Sequence, residues 1–267
     1  TRHAGPLSAR DIAKMKQPAQ NRTAVVTGAS SGIGRAICEK LLQDHWQVVG
    51  LARDFAKFPQ RRHDSFTAHS LDLGQIDALP RQLDEIAGGH EQVDALICGA
   101  GMGRFGHLEQ FSYPQIRELV DLNFTSQAFV VRAFLPRMKR QGGGDIVIIG
   151  SEAALKGSRK GTLYCASKFA LRGFAQALRE ESSVAGVRVC LINPGMVQTA
   201  FFDELDFAPG KDPDQHLLAG DVAAAVCQVL QARQGTVIDE INLSPQKHVI
   251  EFRPNAKNEG DADGNRQ

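Results

Sequence analysis

Tyr164 and Lys168 stand four residues apart in the stretch "LYCASKFA", and on a helix that spacing puts both side chains on one face. A phenol ordinarily ionises near pH ~10, too high for easy proton exchange at neutral pH. An ammonium one turn away stabilises the phenolate and lowers that value. A tyrosine tuned in this way can hand a proton to a carbonyl oxygen as hydride reaches the carbon. Alone, Y-x-x-x-K is equally ordinary helix decoration. A second group gives it meaning: Ser151 closes the apolar run "DIVIIGS". If that run is a parallel strand, Ser151 lies where such sheets bind ligands, and its hydroxyl can hold a substrate oxygen beside the tyrosine.

Hydride needs a donor, and the stretch "AVVTGASSGIGRAI" provides a place for one. Gly28, Gly32 and Gly34 follow a strand-like run and open a helical one. Glycine allows a tight turn and close approach of backbone to ligand. The helix start beyond it offers unpaired N–H groups and a positive dipole end to phosphate, and Ser30 and Ser31 add hydroxyl donors. Strand, glycine turn and helix in that order read as a dinucleotide site, although the spacing differs from G-x-G-x-x-G. The second strand-like run, "QVVGLARD", ends in Arg53, whose guanidinium suits the 2′-phosphate of NADP. Asp54 follows at once, so a solvated Arg–Asp pair is the competing reading. The expected cofactor is NADP(H), with NAD(H) as the alternative. Asp72, in "LDL", is placed to accept from an adenine amino group, with Leu73 beside the ring; a bare surface Asp is the other reading.

The elements that must position these residues are legible as an alternation. Strand-like runs "RTAVVTG", "WQVVGLA", "SFTAHSLDL", "VDALICGAG", "GDIVIIGS", "GVRVCLINPG" and "GTVIDEINLSP" are separated by helical stretches. The runs lack clean apolar–polar alternation, as expected of strands covered on both faces. In "GIGRAICEKLLQDH", Ile33, Ile37, Leu41 and Leu42 share a helical face. "SYPQIRELVDLNFTSQAFVVRAFLPRMKRQGGG" reads as one long helix, kinked or ended early by Pro136. The expected fold is α/β: a Rossmann-type, doubly wound, mostly parallel sheet of about seven strands with helices on both faces. Residues 1–20 read as a loose extension, 21–254 as a single domain, and 255–267 as a polar, disordered tail.

Composition narrows the remaining classes. The chain has 267 residues, a net charge of +1 and 42% hydrophobic residues. That near-neutral balance argues against nucleic acid or an acidic membrane surface as partner. There is no run of eighteen apolar residues and no secretory h-region. Five scattered cysteines without a CxxC pair read as buried thiols in a reducing compartment, and cytoplasm is the expected location. His63, His69, His90 and His107 show no ligand spacing, so no metal is expected.

Taken in order, these motifs resemble the short-chain dehydrogenase/reductase family. "TGASSGIG" (27–34) is similar to its cofactor turn, "YCASK" (164–168) to its Y-x-x-x-K, and "NPGMVQT" (193–199) to its P-G-x-x-x-T. The match extends from about residue 22 to residue 245. The resemblance implies a catalytic set of Asn123, Ser151, Tyr164 and Lys168. Tyr164 would supply the proton and Ser151 would orient the carbonyl. Lys168 would tune Tyr164 and bind the nicotinamide ribose, and Asn123 would hold a water leading to Lys168. It also implies cofactor contacts from Ile33 in the glycine turn, from Tyr164 and Lys168, and from Pro194, Gly195, Val197 and Thr199. The family commonly has N-N-A-G after the fourth strand; here Cys98-Gly99-Ala100-Gly101 keeps the Ala-Gly backbone approach and loses both asparagine side chains.

The implied substrate is a small-molecule carbonyl or alcohol, and the implied assembly a homodimer or homotetramer through the long helices, with Phe124, Phe129 and Phe174 as apolar packing residues. Around the substrate, Phe201, Phe202, Leu205 and Phe207 suggest an apolar lid, and Met102, Gly103 and Phe105 a border. Lys156, Arg159 and Lys160 lie near the same entrance, where they read as solvated surface charge, with attraction of a substrate carboxylate or phosphate as the alternative. A redox-sensing NADP-binding regulator or a scaffold subunit with little turnover is the non-enzyme alternative.

Overall fold

Seven strands lie side by side and all run parallel in the computed structural model, which describes residues 22–253. In chain order they are β1 (Thr23–Thr27), β2 (Gln47–Ala52), β3 (Phe66–Ser70), β4 (Ala95–Cys98), β5 (Gly144–Ile149), β6 (Val187–Pro194) and β8 (Glu240–Leu243). Their order in space is β3-β2-β1-β4-β5-β6-β8. The chain winds outward one way from β1 and then returns to wind the other way from β4. The crevice beyond the carboxyl ends of β1 and β4 is therefore the switch point where such sheets bind ligands. The expected extension (1–20) and tail (255–267) lie outside the described residues.

Helices cover both faces of the sheet, which explains the continuous apolar runs of its inner strands β1, β2, β4, β5 and β6, while the edge strands β3 and β8 are more exposed. In β1, Ala24 and Val26 face one layer and Val25 the other. The first layer packs on α1 (Gly32–Gln43) through Ile37 and Leu41, and on α6 (Ala219–Leu230) through Val222 and Val226. The second packs on α2 (Leu79–Gly88), α4 (Ser126–Gln141) and α5 (Thr162–Ser182) through Leu83, Phe134 and Leu171. Cys38, Cys98, Cys165, Cys190 and Cys227 are buried free thiols. Phe124, Phe129 and Phe174 pack against the second layer of their own chain, and Phe124 and Phe174 meet edge to face at 5.9 Å.

Three features depart from the sequence expectation. The long helix after the fourth strand is not continuous: α3 (Tyr113–Val120) gives way to a π-helical segment at Asp121–Thr125 before α4 begins. Pro136 does not end the helix, which continues to Gln141 and stops at Gly142 in the left-handed conformation (φ 83°). Finally, β7 (Phe207–Pro209) and β9 (Ile250–Phe252) form a separate antiparallel ribbon in segments with no strand-like pattern.

Candidate active site

The glycine turn is built by contacts that side chains would forbid. Gly28 (φ 68°) and Gly32 (φ 50°) both sit in left-handed backbone. A Cβ on Gly28 would press on Ala100 Cα at 3.1 Å, so the turns after β1 and β4 touch. A Cβ on Gly34 would overlap the Gly28 carbonyl, so α1 starts directly against the turn. Ser31 precedes α1 but its side chain accepts no capping hydrogen bond, and the first turn of α1 has no acidic residue. The first N–H groups of a 12-residue helix are thus left to an anion.

Thr27, at the end of β1, holds the crevice open from below. It is fully buried, and its Oγ accepts from Gly99 N at 2.9 Å and Ala100 N at 3.1 Å. These bonds fix the Gly99–Gly101 backbone without help from the asparagines that Cys98 and Gly99 replace. Thr27→Val keeps the shape and strands two N–H groups. It should cost about 2 kcal/mol or more, read as a lower denaturation midpoint at constant m-value.

A single cavity of 1440 Å³ collects nearly every residue singled out from the sequence. Its floor is Gly28, Ser30, Ser31, Gly32, Ile33 and Gly34, with Gly99, Ala100 and Gly101 beside them. Arg53, Asp72 and Leu73 line one end; Ser151, Tyr164 and Lys168 line the other, facing Pro194, Gly195, Val197 and Thr199. Thr199 reaches across to the glycine turn, its Cγ2 lying 3.5 Å from where a Gly32 Cβ would be. Arg53 forms no ion pair among the described residues, and the neighbouring Asp54 accepts from Ala56 N at 2.8 Å. Asp72 Oδ1 accepts from Gly74 N at 2.9 Å. Arg35 and Lys57 line the same end and were not singled out. Arg35 directly follows Gly34, a position its adjacency to the motif marks; Lys57 has no such signal.

Asn123 stands behind the cavity rather than in its wall. It is fully buried in the π-helical segment, a distortion that recurs at functional sites because it turns a residue out of register. Its Oδ1 accepts from Met102 N at 2.8 Å, and its Nδ2 donates to Met102 O at 3.0 Å and Ser167 Oγ at 3.1 Å. Ser167 Oγ in turn donates to the Tyr164 carbonyl at 2.8 Å. Both amide donors are therefore spent on tying the loop after β4 to the helix of Tyr164.

Ser151 N donates to Asn193 Oδ1 at 3.3 Å, and Ser151 Oγ accepts from Ala153 N at 3.2 Å. Asn193, buried at the end of β6, gives its two donors to Glu240 Oε1 (3.0 Å) and Asn242 Oδ1 (2.9 Å) on β8. Asn193 escaped the sequence reading although it opens "NPGMVQT". Lys168 Nζ donates to Ile149 O at 3.3 Å and lies 5.7 Å from the centre of the Tyr164 ring.

Burial dominates the acid–base balance of this pair. It pushes the Tyr164 phenol up to about 12, with the Ser151 hydroxyl pulling the other way. It pushes the Lys168 ammonium down to about 8. The sequence leads one to expect that Lys168 lowers the tyrosine; in the folded chain desolvation wins, because both side chains are largely buried. Tyr164 is thus held as the neutral phenol, the form that can donate a proton.

Comparison with known proteins agrees with this geometry. The family described as short chain dehydrogenase matches residues 22–208. An uncharacterized oxidoreductase of Staphylococcus saprophyticus is 30% identical over 233 residues, 85% of this chain and 98% of that one. The 17-beta-hydroxysteroid dehydrogenase type 1 of Homo sapiens is 34% identical over 200 residues, 70% of this chain; the match spans only 61% of that enzyme. Among solved structures, an alcohol dehydrogenase from the archaeon Thermococcus sibiricus, complexed with 5-hydroxy-NADP, superposes with a TM-score of 0.77 at 26% identity, covering 86% of this chain and 99% of that one.

Proposed function

This chain belongs to the short-chain dehydrogenase family, and we propose that it is an NADP(H)-dependent oxidoreductase that interconverts a carbonyl and an alcohol. The observation that carries the reading is the convergence of Ser151, Tyr164 and Lys168 with the glycine turn on one cavity. The glycine cradle and the open start of α1 fit a dinucleotide phosphate, and the Arg53 guanidinium at the cavity wall fits a 2′-phosphate. When bound, NADP(H) supplies or accepts the hydride at carbon.

The chain's own residues manage the oxygen. Ser151, its backbone fixed by Asn193, presents a hydroxyl that orients the carbonyl oxygen toward Tyr164. In the reductive direction the neutral Tyr164 phenol gives its proton to that oxygen. The Lys168 ammonium, charged below about pH 8, stabilises the phenolate left behind. Asn123 keeps Tyr164 and the loop after β4 in register through Ser167 and Met102. Oxidation runs the same transfers in reverse. Family membership and the NADP analogue held by the archaeal alcohol dehydrogenase support the cofactor assignment.

Cytoplasmic residence and assembly as a homodimer or homotetramer belong to the same proposal. Five buried free thiols fit the first, and the exposed Tyr113, Val120 and Phe169 on α3 and α5 fit the second.

The reaction class is tested by following NADPH consumption with a panel of ketones, aldehydes and keto acids; turnover of none of them contradicts it. Cofactor choice has its own test. Arg53→Asp should move the kcat/KM ratio from NADPH toward NADH by roughly tenfold to a hundredfold, the worth of a charge-assisted hydrogen bond. An unchanged ratio removes Arg53 from the 2′-phosphate site.

A further inference from the structure

Beyond Tyr164 the cavity is walled by aromatic rings. The Phe105 ring lies 4.9 Å from Tyr164 and 4.9 Å from Phe207. Phe201 lies 6.0 Å from Tyr164, and Phe202 joins it to Phe207 at 5.1 and 5.8 Å. Further out, Leu155, Ile250 and Phe252 line the same cavity and leave 37%, 41% and 74% of their surface in water. Large apolar side chains exposed around a ligand cavity are surface waiting to be covered.

The wall is fixed in place. The ribbon pairs Phe207 with Phe252 and Pro209 with Ile250. Arg253 closes its end, with its backbone N donating to Asp206 O at 2.8 Å and Nη1 to Asp203 O at 2.8 Å. Gly106 N donates to Lys160 O at 2.8 Å, which ties the Phe105 loop to the turn after Ser151. At Gly103 a Cβ would overlap the Phe201 ring, so the ring packs flat on bare backbone.

Lys160 and Glu152 at the rim each face a side-chain partner. Lys160 Nζ lies 3.7 Å from Asp206 Oδ2, and His248 Nε2 lies 3.5 Å from Glu152 Oε1. Lys156 and Arg159 line the cavity from an exposed turn and remain in water. Among the rings themselves no charged side chain of the described residues stands, so a charged group laid there would lose hydration, while Lys156 and Arg159 stay at the solvent edge.

We infer that the site takes a ketone or secondary alcohol bearing a bulky, uncharged aromatic or fused-ring group. This rests on the hydride-transfer reading above. The group lies along Phe105, Phe207 and Phe201, and Ile250 and Phe252 of the ribbon cover its outer side. Phe105, Phe201 and Phe207 lie within the segment matched by the family, and the ribbon strand β9 follows it.

The test compares methyl naphthyl ketone, its carboxylated analogue and butanone as substrates with NADPH. Covering an aromatic group is worth roughly tenfold to a hundredfold or more in kcat/KM, so naphthyl over butanone should show at least that ratio and the acid should fall below the neutral ketone. Ile250→Ser with Phe252→Ser should shrink the naphthyl-to-butanone ratio about tenfold, chiefly through KM. Both residues are exposed, and an unchanged circular dichroism spectrum and Tm verify the fold. Equilibrium dialysis of the naphthyl ketone with each protein reads the same loss without turnover. A ratio near one, a ratio indifferent to the double substitution, or a preference for the acid overturns the inference, the last by assigning Lys156 and Arg159 to a carboxylate. Naphthyl binding weakened by the double substitution, with no turnover of any ketone, supports the aromatic site and sinks the hydride-transfer reading. Turnover of butanone alone does the reverse.

Discussion

Tyr164→Phe should lower kcat by roughly a thousandfold, within the range that general acid catalysis contributes, while NADPH affinity changes little. The substitution removes one hydroxyl and keeps the ring, which is wedged between Phe105 at 4.9 Å and Phe201 at 6.0 Å. Tyr164 is only 8% exposed, and burial holds its phenol at about 12, so at neutral pH the lost group is an uncharged donor. No buried charge is created or removed, and stability should stay within about 1 kcal/mol of the parent. Single-turnover kinetics with a saturating ketone separate this from a binding defect. Turnover comparable to the parent would remove Tyr164 from the chemistry.

Lys168→Met should abolish turnover and at the same time stabilise the fold at pH 7. The ammonium is buried, and its pKa falls from 10.5 to about 8 on folding. That depression is a cost of folding of about 3 kcal/mol, present in full below pH 8. Between pH 8 and pH 10.5 the unfolded chain holds the proton and the folded chain does not, so stability from this group rises with pH. Above 10.5 the cost is gone. Methionine fills similar space but gives up the bond to Ile149 O, worth about 1 kcal/mol. The expected net gain is about 2 kcal/mol at pH 7, shrinking to nothing or a small loss near pH 11. Urea denaturation of both proteins at the two pH values measures it. A variant less stable than the parent at pH 7 would show that Lys168 is not buried as a charge.

Much of this site is local in the chain, and that is why it was readable. The glycine turn, Tyr164 with Lys168, and Ser151 each lie within a short stretch, and the fold brings those stretches to one cavity. The inner parallel strands β1, β2, β4, β5 and β6 were readable because burial on both faces makes their apolar runs continuous. What depends on distant packing was not. The π-helical break at Asn123 is set by bonds to Met102 and Ser167, which no local periodicity encodes. Helix α2 buries only Leu79, Leu83 and Ala87 among charged neighbours, too thin a stripe to stand out. The ribbon joins two three-residue strands across some forty residues of chain, and neither alone has a period. The direction of the Tyr164 shift was missed for the same reason: Lys168 is visible in the sequence, and the loss of water around both groups is not.

The central claim is hydride transfer between NADP(H) and a carbonyl carbon in the cavity of Tyr164. The most direct measurement incubates the protein with a ketone it turns over and NADPH deuterated at nicotinamide C4, then locates the label in the alcohol by mass spectrometry and NMR. Deuterium on the carbinol carbon of the parent's product, with product formation all but lost in Tyr164→Phe, is the predicted result. An alcohol without label, or labelled product formed equally by Tyr164→Phe, would contradict it.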